Sequence, residues 1–114
     1  MVSYNLPSVN TYQAAQLDAL GDATRRAIVS RLLAGPMPVG KLARRFPVSR
    51  PAISQHLKVL KTAGLVVDEQ HGTRRMYALN PAAFGSLREY VDEFWNQALA
   101  AFKKRVEAPP PGKE

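Results

Sequence analysis

The stretch from Arg50 to Ala63 constrains this chain more than any other. At about 100° per residue, Ser54, Lys58 and Lys61 fall within about 80° of Arg50, and Gln55 and Thr62 flank them at about 120–140°. Ala52, Ile53, Leu57, Val59, Leu60 and Ala63 fill the opposite side. One face of this helix is cationic and rich in hydrogen-bond donors, and the other is greasy. His56 falls within the apolar arc, at about 240°, so it reads as a packed, hydrogen-bonded histidine.

Proline and glycine cut the rest of the first eighty residues into short pieces. Asn10 to Leu20 reads as a short helix with Tyr12, Ala15 and Leu20 as its apolar points. Asp22 can cap a second helix running to Ala34, with Ile28, Val29, Leu32 and Leu33 at helical spacing. Gly35-Pro36 ends it. Pro38 can open a third helix that carries Val39, Leu42, Ala43 and Phe46 and closes at Pro47. Ser49 can cap the next, accepting from the Ala52 amide, with Pro51 harmless in its first turn. Pro38–Phe46 and Arg50–Ala63, joined by Pro47-Val48-Ser49, form a helix-turn-helix candidate.

After Gly64 the period changes to two. Leu65-Val66-Val67 and Thr73 to Leu79 read as strands, with Tyr77 and Leu79 on one face and His71-Gly72 as a tight turn between them. His71, at the turn tip, is expected to tolerate an unusual backbone angle. Asn80-Pro81 reads as a cap and a first-turn proline for a long helix over about 82–106. The expected fold is mainly α with a small β-hairpin, in the order α-α-α-α-β-β-α. Ala108-Pro109-Pro110-Pro111-Gly112-Lys113-Glu114 reads as a disordered tail, so residues 1–107 form the domain.

Net charge is +7, and its position says more than its total. Residues 22–79 carry eleven Lys/Arg against Asp22, Asp68 and Glu69, whereas the flanking segments are close to neutral. That concentration points to a polyanion partner. Absent cysteine excludes disulfides, thiolate metal sites and cysteine nucleophiles, and fits a reducing compartment. No run of about 18 apolar residues is present to span a membrane. Met1 to Tyr12 shows no basic region leading into an apolar run, so no secretory leader is expected. No nucleophile–base pair, phosphate-cradling loop or metal cluster points to an enzyme. The basic segment contains only Phe46 and Tyr77 as aromatics, which argues against a single-stranded RNA platform. A protein-interaction module built on the same scaffold is the alternative; it would bind a partner without preferring any DNA sequence.

Double-stranded DNA fits best. Arg50 can fork onto guanine and Gln55 onto adenine, and Ser54 is small enough for close approach, so these three are the expected base readers. Ser49, Lys58 and Lys61, with Lys41, Arg44 and Arg45 on the preceding helix, are expected at the phosphate backbone. Of Arg74 and Arg75, which directly follow the turn, at most one can face the core and at least one should face outward, toward phosphates or a minor groove. Arg25 and Arg26 stand at the positive end of their helix, an unfavourable place for cations unless a carboxylate or a DNA phosphate offsets the cost.

One stripe of the last helix collects Phe84, Leu87, Val91, Phe94, Trp95, Ala98, Leu99 and Phe102. Five of the nine aromatics lie between Phe84 and Phe102. A small domain would struggle to cover such a length, so the expected cover is the same helix of a second subunit, with Tyr12 and Leu17 at the rim. A two-fold axis would set two reading helices about 34 Å apart on an inverted repeat.

Five segments together resemble the ArsR family of bacterial winged-helix transcriptional regulators. They are Asp22-Ala23-Thr24-Arg25-Arg26-Ala27-Ile28, Val39-Gly40-Lys41-Leu42-Ala43, Ser49-Arg50-Pro51-Ala52-Ile53-Ser54-Gln55-His56-Leu57-Lys58-Val59-Leu60, Ala63-Gly64-Leu65-Val66 and Gly72-Thr73-Arg74-Arg75-Met76-Tyr77-Ala78-Leu79. The resemblance covers roughly residues 12–105. It implies a homodimeric DNA-binding repressor in the cytoplasm, associated with the nucleoid, with Arg50–Lys61 as recognition helix and residues 65–79 as wing. It also implies that the first and last helices, about 10–20 and 82–106, form the dimer interface. Metal-sensing members carry cysteines near the helix that spans Val39 to Ala43 here, or histidine and acidic ligands on the last helix. This chain has no cysteine and no histidine after His71, so neither a metal nor any other cofactor is expected, and no effector is implied.

Overall fold

The structure, a computed structural model, describes residues 9–108. The N-terminal segment up to residue 8, where no secretory leader was expected, and the proline-rich tail from residue 109 lie outside the described residues. The elements run α1 (Thr11–Ala19), α2 (Ala23–Leu32), β1 (Met37–Pro38), α3 (Val39–Ala43), α4 (Arg50–Thr62), β2 (Val66–His71), β3 (Arg74–Leu79) and α5 (Pro81–Glu107). This is the expected mainly helical winged fold with one addition. Met37 and Pro38 pair with Tyr77 and Met76, so the hairpin is a three-stranded antiparallel sheet in the order β1-β3-β2. Two residues give no period to read, and a proline is tolerated there because the strand lies at an edge.

The core is built by α2, α3, α4 and the base of the sheet. Ile28, Leu42, Ile53, Leu57, Leu60, Leu65 and Val66 are all but sealed from solvent. Phe46 and Tyr77 pack at the margin of this cluster. Several expectations need correcting. The third helix stops at Ala43, not Phe46. Its exit is a tight turn in which the Arg45 amide bonds Leu42 O at 3.0 Å and the Phe46 amide bonds Ala43 O at 3.4 Å. Pro47 disfavours the helical region for Phe46 and forces this early exit.

α1 buries Gln13, Gln16 and Ala19, not Tyr12 and Ala15. Asn10 and Gln13 close a capping box at its start, and Gln13 Nε2 donates to Ser86 O of α5 at 3.1 Å. An amide that finds a backbone acceptor on a neighbouring helix can be buried at little cost. His71 does not stand at the turn tip. It lies in β2 opposite Arg74, and Gly72, at φ 62°, takes the left-handed angle. Asn80 does not cap α5 with its side chain; its Nδ2 donates to Gly64 O at 2.9 Å. The end of α4 claims the amide that sequence spacing assigned to the next helix.

Candidate nucleic-acid interface

α4 begins with the Ser49 side-chain oxygen accepting from the Ala52 amide at 3.2 Å, and Pro51 sits harmlessly in the first turn. It ends in a Schellman motif. The Gly64 amide bonds Lys61 O at 2.9 Å, and the Leu65 amide bonds Leu60 O at 3.0 Å, with Gly64 at φ +80°. Leu60 and Leu65 are both fully buried, which supplies the motif's hydrophobic contact. Between these caps Ile53, Leu57 and Leu60 lock the helix onto the core. The opposed face is therefore presented to solvent, with Arg50, Ser54, Gln55, Lys58, Lys61 and Thr62 all exposed.

Arg50 leans toward α3. A Cβ built on Gly40 would lie 3.8 Å from Arg50 Nη1. Lys41, Arg44 and Arg45, on and just after α3, are exposed, and Arg45 lines a hollow with Ala27, Ser30 and Arg31 of α2. The structure thus gathers the expected base readers and backbone cations of the helix-turn-helix on solvent-exposed positions.

The hairpin register sorts the wing. Val66, Asp68, Gln70, Arg75, Tyr77 and Leu79 share one face, which packs on α4; Val67, Glu69, His71, Arg74, Met76 and Ala78 share the other. Arg74 and Arg75 therefore point to opposite sides. Arg75 Nη1 donates to Asp68 Oδ2 at 2.6 Å, and Lys61 Nζ lies 2.8 Å from Asp68 Oδ1. Two of the expected DNA cations are thus joined by one internal carboxylate. Donation by Lys61, and then by Arg75, holds the Asp68 carboxyl below the usual carboxylate range. Sequence reasoning missed Asp68. Turns at His71-Gly72 or at Gly72-Thr73 both place it on the Arg75 face, so half of the cluster was legible; the approach of Lys61 was not.

Within the chain Arg25 and Arg26 are held by backbone carbonyls rather than by a carboxylate. Arg25 Nε donates to Ala19 O at 2.6 Å and Arg26 Nη1 to Leu20 O at 2.9 Å. The negative end of α1 offsets the positive end of α2. Asp22 caps α2 by accepting from the Arg25 amide at 3.0 Å, and that bond lowers its pKa. His56 is part-buried beside this corner, its Nδ1 3.4 Å from Arg25 Nη1. The same Nδ1 lies 4.0 Å from Asp22 Oδ1.

Along α5, Ala83 is buried and Phe84 packs against the domain's own core. Leu87 is half-buried. Farther on, Val91, Phe94, Ala98 and Leu99 are exposed, Trp95 is 60% exposed and Phe102 65%. Tyr12 and Leu17 of α1 are exposed as well. Among the described residues, no three metal-ligating side chains come together, and no helix is long and apolar enough to cross a membrane.

A cationic helix raised on a helix-turn-helix, with a hairpin beside it, defines a winged helix-turn-helix DNA-binding protein. The family of bacterial regulatory proteins named for arsR matches residues 22–67. The HTH-type transcriptional regulator Rv2034 of Mycobacterium tuberculosis is 57% identical over 90 residues, covering 79% of this chain and 84% of that one. The transcriptional repressor SdpR of Bacillus subtilis is 35% identical over 79 residues, covering 69% and 88%. An ArsR-like regulator from Rhodococcus sp. RHA1 superposes with a TM-score of 0.71 at 31% identity, over 87% of this chain and 95% of that one. The chain belongs to the arsR family: it is a DNA-binding transcriptional regulator, not an enzyme.

Proposed function

We propose that the chain binds an inverted-repeat operator as a homodimer and represses transcription by occupying a promoter. The observation that carries this reading is the solvent-facing side of α4, where Arg50, Ser54 and Gln55 stand exposed while Ile53, Leu57 and Leu60 anchor the helix from behind. Arg50, Ser54 and Gln55 read base edges in the major groove. Lys41, Arg44, Arg45, Ser49 and Lys58 grip phosphates, and Ser49 keeps its O–H free to donate while its oxygen caps α4. Arg74 is the wing's outward cation; Lys61 and Arg75 add to the backbone contacts with their charge shared with Asp68.

The exposed apolar stripe of α5 supports the dimer. At 27 residues the helix is about 40 Å long, and Val91, Phe94, Trp95, Ala98, Leu99 and Phe102 are left uncovered by their own subunit. A second α5, flanked by Tyr12 and Leu17 of α1, is the cover we assign, with Phe84 and Leu87 at the inner end. Two-fold symmetry then sets the paired α4 helices about one turn of B-DNA apart. The name of the Bacillus subtilis relative supports repression. The site of action is the cytoplasm, at the nucleoid, and no effector is assigned.

Selection of bound duplexes from a random pool tests the reading. An inverted repeat with half-site centres about 10 base pairs apart is expected. Affinity for it should fall with salt at a logarithmic slope of about −5 or steeper, for six or more neutralised phosphates. No enriched sequence, or a nearly flat slope, leaves the protein-interaction module as the better account.

A further inference from the structure

Asp68 is the only carboxylate on the inner face of the hairpin, and it lies between the two elements that face DNA in the reading above. Its side chain is 8% exposed. One oxygen meets Lys61 Nζ, from the last turn of α4, at 2.8 Å; the other meets Arg75 Nη1, from β3, at 2.6 Å. The two charge-assisted bonds favour the ionised carboxylate. The two cations remain 53% and 48% exposed. An ammonium has three N–H donors and a guanidinium five, so both keep donors free for a phosphate. Exposed ion pairs usually fix little, because both side chains are mobile. Here one carboxylate is shared by cations from two elements, so each contact restricts the other.

We infer that Asp68 is a positioning residue for DNA reading: it ties the wing to the last turn of α4, presets Lys61 and Arg75 for the phosphate backbone, and fixes the offset between Arg74 and Arg50. The inference rests on the DNA-reading assignment. It differs in sign from simple electrostatics. A carboxylate beside DNA repels phosphates, so neutralising a mere bystander strengthens binding to every duplex. Neutralising a positioning residue weakens binding to the operator and leaves binding to other DNA unchanged or stronger.

Two measurements test it. The first needs no DNA. The chain has no cysteine, so Ala27→Cys and Thr73→Cys place spin labels only on α2 and the wing tip. Labelled chain is diluted into unlabelled chain, and the distance distribution is read by pulsed electron resonance. Asp68→Asn is expected to broaden it and Asp68→Glu to narrow it again. Lys61→Gln, at a half-exposed position, is expected to broaden it too. Unchanged widths in Asp68→Asn and Lys61→Gln overturn the inference.

The second measurement is the ratio of affinities for the selected operator and a scrambled duplex. Asp68→Asn should lower this ratio about tenfold, the worth of one well-formed polar contact to DNA, and Asp68→Glu should restore most of it. An equal rise in affinity for both duplexes identifies Asp68 as a bystander and overturns the inference. If the unsubstituted chain does not discriminate between the duplexes, the DNA-reading assignment has failed, and the label distances alone decide the role of Asp68.

Discussion

Replacing Gly64 with alanine strikes the joint between α4 and the wing, and its cost can be worked out from two separate causes. The first is backbone. Gly64 sits at φ +80°, where an L-residue costs about 1–2 kcal/mol. The second is steric. A Cβ there would lie 1.6 Å from Tyr12 Oη and 2.5 Å from Tyr12 Cζ, so the ring must leave. Tyr12 is 47% exposed, so it can swing into solvent, but it surrenders the covered half of its ring. That half is on the order of 100 Å², worth at most about 2.5 kcal/mol at about 25 cal/mol per Å². The expected loss is about 2–4 kcal/mol, seen as a urea midpoint lowered by about 1–2 M with the slope unchanged. Protein concentration must be held fixed, because self-association adds stability by mass action. In a Tyr12→Ala background only the backbone cost should remain, about 1–2 kcal/mol. If Gly64→Ala costs the same with and without Tyr12, the steric half of the reasoning is wrong. A loss below about 0.5 kcal/mol, the scale of an ordinary surface change, refutes both halves.

Arg50→Ala should weaken operator binding by about 1–3 kcal/mol and relax one base position; equal weakening on all sequences in a titration would make Arg50 a phosphate contact. Trp95→Ala should leave the subunit folded, because the ring is 60% exposed, while raising the monomer fraction in sedimentation; an intact dimer removes Trp95 from the interface. Asp22 and Asp68 both have carboxyl pKa values below the ordinary range, Asp22 chiefly through the Arg25 amide and Asp68 chiefly through Lys61. A group whose folded pKa is depressed contributes stability above its unfolded value, about 3.9, and loses that contribution as pH falls through the folded value. Denaturation of the native chain should therefore ease steadily below about pH 4, and Asp68→Asn should show a shallower acid limb; parallel limbs would mean that Asp68 gains nothing from its partners.

Wherever a residue's role follows from its neighbours along the chain, the sequence was enough. The period of α4 is local, so Ile53, Leu57 and Leu60 could be assigned to the core and Arg50, Ser54 and Gln55 to solvent without coordinates. Ser49 as a cap is equally local, because its hydrogen bond spans three residues. The short third helix shows the limit of that reading. Its apolar spacing runs through Phe46, but the conformational bias imposed by Pro47 ended the helix three residues sooner.

Other roles were decided by what lies across space. Asn80 has the composition of a cap, yet the carbonyl of Gly64, 16 residues away, claims its amide. Arg25 and Arg26 look misplaced along α2, and only the packing of α1 against that corner supplies carbonyls to receive them. α1 hides Gln13 because Ser86 of α5 offers it an acceptor, and Tyr12 lies half-covered because Gly64 leaves room for its ring. Asp68 acquires its two cations because the chain reverses at Gly72 and folds back along α4. Local periodicity sets which face of an element is buried, since that depends on bond angles shared by every residue in it. Partners for buried polar groups are set by tertiary contacts, since hydrogen bonds and charge pairs form only over a few ångströms of space, whatever the separation along the chain.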